Sequence, residues 1–537
     1  MIAMANKLTP SNTLLAIVLA GLPSVVWAAE PYYWRSGDNK YSTADAACRA
    51  DVQRVTPGRI YSGTIPFNDI DRMKVCMVTD PDAPWREEHG VTAVGRFGGG
   101  ISGCGSQTPK AQGSCSPNKN AGPPTSCGGT NPINIFTGYK YQQEIDLSSS
   151  PAMALSIRRT YHWDINQGVW RFNSAPSIVY MDHIDKKTVE VNRNNHRAYI
   201  FEGDPVSGWG ADADVRIRLT SSTDSAGVVT QWQLFLEDDS VERYSPDGRL
   251  LSITYRAGHQ KTYTYDLSNG SGGDSNAATL DRVDDWLGNS LSYAYDNSAR
   301  LSEITTSDGE MYQYAYNADG MLEYVSYPDE TVDVSGSNPF GSDNPFKQYH
   351  YENIDFPLAL TGITDEKSIR YATWNYDSAG RAISSEHANA ADRVTLDYTH
   401  LENPDDPRVT TTNKLGKDTT YHFASLLGVH KVTQIEGHAS TSCIAANKAY
   451  TYYADSGLLK TQTDWQGRTT RFEYNDRGLE IEKIQAEGSL EERVILTQWH
   501  ADFNLKTKII SPARTQVFTY DTTGKLVAST SQPTTGQ

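Results

Sequence analysis

A unit of about twenty-one residues recurs through the second half of this chain. It reads turn, alternating aromatic strand, Tyr-Asp or Tyr-Asn, glycine turn, leucine. A unit this short cannot bury its own apolar face, so it has to be stacked on copies of itself. The best-matched stretches are Tyr295-Asp296-Asn297-Ser298-Ala299-Arg300-Leu301, Tyr316-Asn317-Ala318-Asp319-Gly320-Met321-Leu322, Tyr474-Asn475-Asp476-Arg477-Gly478-Leu479 and Tyr520-Asp521-Thr522-Thr523-Gly524-Lys525-Leu526. Tyr376-Asp377 with Gly380, and Tyr453 with Gly457, extend the series, and Trp499 stands in for the tyrosine in another unit.

Glycine punctuates both ends of the strand pair. Gly288, Gly309, Gly416 and Gly467 each stand seven residues before an aromatic, and Gly248, Gly320, Gly380, Gly457, Gly478 and Gly524 stand four after one. Chain reversal with positive φ is what glycine permits at such places, and segments such as Leu291-Ser292-Tyr293-Ala294-Tyr295 alternate between them. Each unit therefore reads as a β-hairpin, and the chain as all-β.

The pattern resembles the YD repeats of the Rhs family, large bacterial surface and toxin-delivery proteins, over residues 236–537. Upstream, Gly129-Thr130-Asn131-Pro132-Ile133-Asn134-Ile135-Phe136-Thr137-Gly138-Tyr139, then Glu144-Ile145-Asp146 and Leu155-Ser156-Ile157-Arg158-Arg159-Thr160-Tyr161, resembles the lead-in β domain that opens many Rhs shells. The resemblance implies a hairpin array forming one long sheet that spirals into a hollow shell wall. It also implies a C-terminal core and a variable toxin beyond the shell. Neither is recognisable before Gln537, so the expected partner is a downstream core or toxin polypeptide.

At 537 residues the chain exceeds one core, and 38% hydrophobic content suffices for globular β structure. Thirty-one tyrosines against thirteen phenylalanines point to rings that are only partly dry. A formal charge of −17 argues against nucleic acid or anionic lipid as a partner, since phosphate binding needs clustered Lys and Arg.

The N-terminus reads as a secretory signal over residues 1–28, with Lys7, an apolar run from Leu14 to Leu22 and an A-x-A-type site at Val26-Trp27-Ala28. An exported protein, secreted or held at the cell surface and with no integral membrane segment after cleavage, is the expectation. Residues 29–94 read as a small α+β module, with a helix over 43–52, a strand over 71–78 and a Cys48–Cys76 disulfide joining them. Residues 95–129 read as a Gly/Pro/Ser-rich linker, 130–235 as the lead-in β domain and 236–537 as the array. Cys104, Cys115, Cys127 and Cys443 leave their pairing open.

Chemical motifs are weak. Gly98-Gly99-Gly100-Ile101-Ser102-Gly103 satisfies a dinucleotide fingerprint but opens no βαβ helix, and Cys104 spoils a nucleophile elbow at Ser102. His422, His430, His438 and Cys443 have spacings unlike any usual zinc site, so neither metal nor cofactor is expected and the chain reads as non-enzymatic. Asp247, Asp308 and Asp319, each directly before a glycine, read as turn acceptors, as does the acid of each Tyr-Asp pair. Trp286, Trp374, Trp465 and Trp499 carry the alternative function, an adhesin that stacks aromatic faces on surface glycans; the competing reading places them in the inter-repeat ladder.

Overall fold

The computed structural model describes the backbone of residues 33–36, 39–41, 60–67, 70–79 and 89–97, and residues 132–534 apart from 165–166, 175, 184–185, 267–277, 329–343 and 440–444. The segment 1–28 expected to be a signal, the helix expected over 43–52, Cys48, Cys104, Cys115, Cys127, Cys443 and the glycine motif at 98–103 lie outside the described residues. The chain divides into two compact units, Met1–Gly103 and Cys104–Gln537.

In the first unit the described strands form one five-stranded antiparallel sheet. Asn39–Tyr41 pairs with Tyr33–Ser36, which pairs with His89–Phe97, then Ile70–Thr79, then Ile60–Phe67. The strand expected over 71–78 is the fourth of these in space, with Cys76 opposite Thr64 and Thr92.

In the second unit a 26-stranded antiparallel sheet runs from Arg218–Thr223 to Leu526–Pro533, every strand paired with its neighbours in sequence. It is an unbroken meander of hairpins, open at both ends among the described residues. Ahead of it, Tyr141–Leu147, Ile157–Asp164 and Gln167–Phe172 make a three-stranded sheet, and Ser177–His183, Lys186–Asn192, Ala198–Asp204 and Gly208–Gly210 a four-stranded one. The smaller sheets cover the apolar face that single hairpins cannot bury. Tyr161, Trp163 and Ile157 join Ile304, Leu322, Ile363 and Trp374 in one core, and Phe201 and Val189 join Trp232 and Tyr244 in another.

The repeat has a hydrogen-bond grammar that explains its composition. At the turns, the first residue takes a backbone bond from the third residue after it and gives one to the fourth, as in Gly380 N to Asp377 O and Asp377 N to Arg381 O. The acid of the Tyr-Asp pair fixes this geometry. Asp377 Oδ1 accepts from Ala379 N and Arg381 N, Asp296 from Ser298 N and Arg300 N, and Asp521 from Thr523 N and Lys525 N. The acids standing directly before glycine do not hold this position. The organising side chain is three residues before the glycine: Asn317 rather than Asp319, accepting from Asp319 N and Met321 N, and Thr306 rather than Asp308, accepting from Glu310 N.

A β-bulge follows on the return strand of each hairpin, at the aromatic. Tyr295 pairs with Leu301, Tyr316 with Leu322, Tyr376 with Ala382, Tyr474 with Glu480, Trp499 with Lys506 and Tyr520 with Leu526, each across a register shift. A bulge breaks the ladder locally. The tyrosine of the next unit then donates its hydroxyl to the carbonyl at that point: Tyr316 to Leu301, Tyr351 to Leu322, Tyr398 to Ala382, Tyr474 to Leu459 and Tyr520 to Lys506, with Trp499 Nε1 serving Glu480. In the unit that contains Tyr453 the loop is one residue longer. There Tyr452 holds the bulge register against Leu459, and Tyr453 takes the place of the acid.

Gly248 and Gly138 are among the glycines that meet hard limits. Gly248 has φ +87°, and a Cβ there would stand 1.7 Å from Ile178 O, where the four-stranded sheet bridges to the array. Gly138 has φ +70°, and a Cβ would stand 2.5 Å from Arg381 Cβ, while its carbonyl accepts from Ala382 N.

The far strands return against the first turns of the same sheet. Asn504 N donates to both carboxylate oxygens of Asp239 at 3.0 Å, and Asn504 Nδ2 donates to Glu237 O. These turns lie twenty-one strands apart along the described sheet. Arg216 Nη2 reaches Ser456 O at 3.4 Å, and Arg256 packs on the Gly524 turn.

Candidate functional site: a buried polar seam under the array

The strand Tyr141–Leu147 reverses the usual pattern. Its inward positions are Gln142, Glu144 and Asp146, continuing from Lys140, while Ile145 is 54% exposed. Charged groups taken from water must find partners, and here the array supplies them.

Asp146 and Arg159 have fully buried side chains and form a bidentate pair, Nε–Oδ2 2.6 Å and Nη2–Oδ1 2.8 Å. Two array tyrosines complete the carboxylate shell, Tyr314 on Oδ2 and Tyr327 on Oδ1, both at 3.1 Å. Arg159 Nη2 also donates to Tyr349 Oη at 2.8 Å, and the guanidinium lies 4.9 Å from the Trp170 ring centre. Burial opposes the charge on Arg159, and the Asp146 carboxylate together with Tyr349 and Tyr327 outweighs it and holds the pKa well above the usual range. Burial, with Asp146 adding to it, pushes the Tyr314 hydroxyl well above its ordinary value.

A second chain of bonds runs along the same strand. Lys140 Nζ donates to Gln142 Oε1, Gln142 Nε2 to Glu144 Oε1, and Lys347 Nζ of the array to Glu144 Oε2. Burial drives the Lys140 pKa well down, with Glu144 working against it, and the ammonium sits 3.9 Å from the centre of the Trp374 ring. Tyr161 Oη donates to Leu358 O and accepts from Leu360 N, and Trp163 Nε1 donates to Gly380 O. Every carboxylate oxygen of Glu144 and Asp146 is occupied by donors, so the arrangement fixes position: it keys three lead-in strands onto hairpins 168–217 residues away in sequence.

Beside this seam, Ser156, Asn173, Ser174, Lys261 and Tyr293 line part of a cavity of about 20 Å³. That is space for a water and not for a sugar ring. Among the described residues no group of three or more His, Cys, Asp and Glu side chains is gathered as a metal would require, and no helix is long and apolar enough to cross a membrane. His422 bonds Asp406, His438 bonds Thr420, and His430 stacks on Phe136 at 3.6 Å.

The four tryptophans are not brought together. Trp374 is 3% exposed, packed under Lys140, and offers no face to a sugar. Trp499 is half-buried in the tyrosine's place. Trp286 stacks on His259, and Trp465, 62% exposed at the tip of a turn, has Lys448 over its ring. The polar seam was missed in the sequence; the alternation of Lys140, Gln142, Glu144 and Asp146 with Tyr141, Gln143 and Ile145 was its only signal.

No protein-family model matches the chain, and no curated protein matches it. Among solved structures it is similar to TcdB2-TccC3-TEV, at 10% identity over 74% of this chain and 22% of that one, TM-score 0.29. It is similar to the Photorhabdus luminescens Tc holotoxin pore at 10% identity over 63% and 22%, TM-score 0.23. A porin-like protein from Bacteroides uniformis follows at 9% identity over 63% and 92%, TM-score 0.12. The chain spans about a fifth of the length of the first two, and likenesses this distant decide nothing beyond what its own strands and contacts establish.

Proposed function

We propose that this chain is a non-enzymatic, exported scaffold of the Rhs/YD-repeat type, whose sheet winds into a wall that encloses or delivers a cargo together with a downstream core or toxin polypeptide. One observation carries the reading: the Asp239 turn is bonded to the Asn504 turn twenty-one strands further on, as it would be if the sheet completed a circuit and ran on beside its own start. The keyed lead-in strands support it, since they cover one face of the array, which no single hairpin could bury alone. Electron microscopy of the purified chain tests the proposal. A curved wall around an internal space is expected, and a solid particle or a flat ribbon would overturn it.

A second reading, an adhesin for surface glycans, is favoured by Trp465 alone, the most exposed of the four tryptophans. Glycan-array binding that disappears in Trp465→Ala would support it.

A further inference from the structure

The buried seam holds a lysine that bonds no acid. Lys140 is fully buried, and its Nζ donates to the carbonyl of Tyr141 and, at 2.9 Å, to Gln142 Oε1, with the Trp374 ring beside it. The neighbouring cations are paired differently: Arg159 has Asp146 and Lys347 has Glu144. An ammonium taken from water without a carboxylate of its own is costly, and burial, which Glu144 only partly offsets, favours loss of its proton. A desolvated amine of this kind is a nucleophile.

An electrophile and a proton carrier follow along the strand. Lys140, Gln142 and Glu144 hold alternate positions and all three are buried. Gln142 Oε1 accepts from Nζ, which polarises the carboxamide carbon Cδ, and Gln142 Nε2 donates to Glu144 Oε1 at 2.7 Å. Amine, carboxamide and carboxylate are therefore bonded in series, in the order in which acyl transfer uses them. Lys347 holds the other carboxylate oxygen, Oε2, at 2.9 Å, so Oε1 stays on the amide nitrogen. Reactants held in contact away from water need no collision to meet.

We propose that Lys140 and Gln142 join in an isopeptide bond formed by the folded chain itself, with Glu144 as the proton carrier. A turn about Cε–Nζ brings the lone pair of the neutral amine onto Cδ, and the Nζ–Cδ bond forms as the carbonyl pair moves to Oε1. Glu144 takes the surplus proton of Nζ and delivers one to Nε2. The carbonyl re-forms, the Cδ–Nε2 bond breaks, and ammonia leaves with the electron pair of that bond. An amine and a primary amide become a secondary amide and ammonia, with no oxidant or reductant. The product removes a buried positive charge and fixes the inward row of the strand. Each chain reacts once, so the bond suits a non-enzymatic scaffold and does not depend on what a wall would enclose.

Peptide mapping by mass spectrometry tests the bond on the full chain, kept folded for days and then denatured and reduced. Trypsin is expected to leave Lys140 uncut and to release residues 120–158 as one peptide, lighter by one ammonia and giving no fragment ions from breaks between 140 and 142. Lys140→Arg should restore the full mass, and Glu144→Gln should slow the loss of ammonia at least about a hundredfold. Cleavage after Lys140 with both peptides at full mass, an ammonia loss that maps elsewhere, loss that persists in Lys140→Arg, or undiminished loss in Glu144→Gln would each overturn the proposal. The map of the unaltered chain keeps the result decisive if a variant misfolds.

Discussion

The hydroxyl of Tyr316 donates to the carbonyl of Leu301 at 2.8 Å, and Leu301 is the residue that the preceding repeat tyrosine, Tyr295, faces across its bulge. The repeat tyrosine is thus a staple to the hairpin before it as well as a ring in the core. Tyr316→Phe keeps the ring and leaves the carbonyl without its hydroxyl donor. A loss of about 1 kcal/mol is expected. Denaturant titration should show it as a shifted midpoint, and faster amide exchange should be confined to residues 290–326.

Asp146 holds Arg159, Tyr314 and Tyr327 in a site without water access. Asp146→Ala strands a buried guanidinium, and a loss of about 3–5 kcal/mol is expected. Asp146→Leu combined with Arg159→Met removes both charges and should recover much of it. Proteolysis of the 132–172 segment in the single and double variants checks the ordering.

Gly248→Ala combines positive φ with a contact that cannot relax, since the neighbour is the backbone oxygen of Ile178. Among the turn glycines this substitution should lower the thermal midpoint most. Gly288→Ala, with open space around its Cβ position, should cost only about 1 kcal/mol through φ. The converse holds at Ala299, φ 57°, and Ser368, φ 59°, where alanine and serine occupy the glycine place. Either residue replaced by Gly should raise the midpoint slightly.

His196 and His430 are both held down to about 4. Burial is the main cause for His196, with the Thr160 carbonyl opposing and Arg171 adding, and the cause for His430. The folded value lies below the unfolded one of about 6.5, so the stability tied to the neutral rings is complete above about pH 6.5 and is lost as pH falls toward 4. The loss is at most roughly 3 kcal/mol for each ring. His196 binds Thr160 in the three-stranded sheet and His430 stacks on Phe136. Unfolding midpoints measured from pH 7.5 to 4 should therefore fall steeply below 6.5, and His196→Gln with His430→Leu should flatten the slope.

The hairpins were legible because two strong local constraints, turn glycines and strand alternation, repeat at a fixed interval. What lay between distant residues was not. Nothing near Asp146 marks it as the partner of Tyr314 and Tyr327, and nothing near Asn504 points to Asp239, because those pairings depend on how far the sheet curls per strand. Local sequence also misplaced one register. Tyr452 and Tyr453 satisfy the same pattern, and only the longer turn assigns the bulge to Tyr452. The tryptophans show the limit on function, since Trp374 and Trp465 look alike in sequence and differ in burial from 3% to 62%.

Because the staples run from an aromatic side chain to a carbonyl 14–29 residues earlier, a hairpin emerging from the ribosome is held incomplete until the following one arrives. The array is therefore directional in time as well as in space. A chain synthesised amino end first closes its repeats in the order in which they appear, each newcomer locking its predecessor, and an interruption leaves only the last hairpin unfastened.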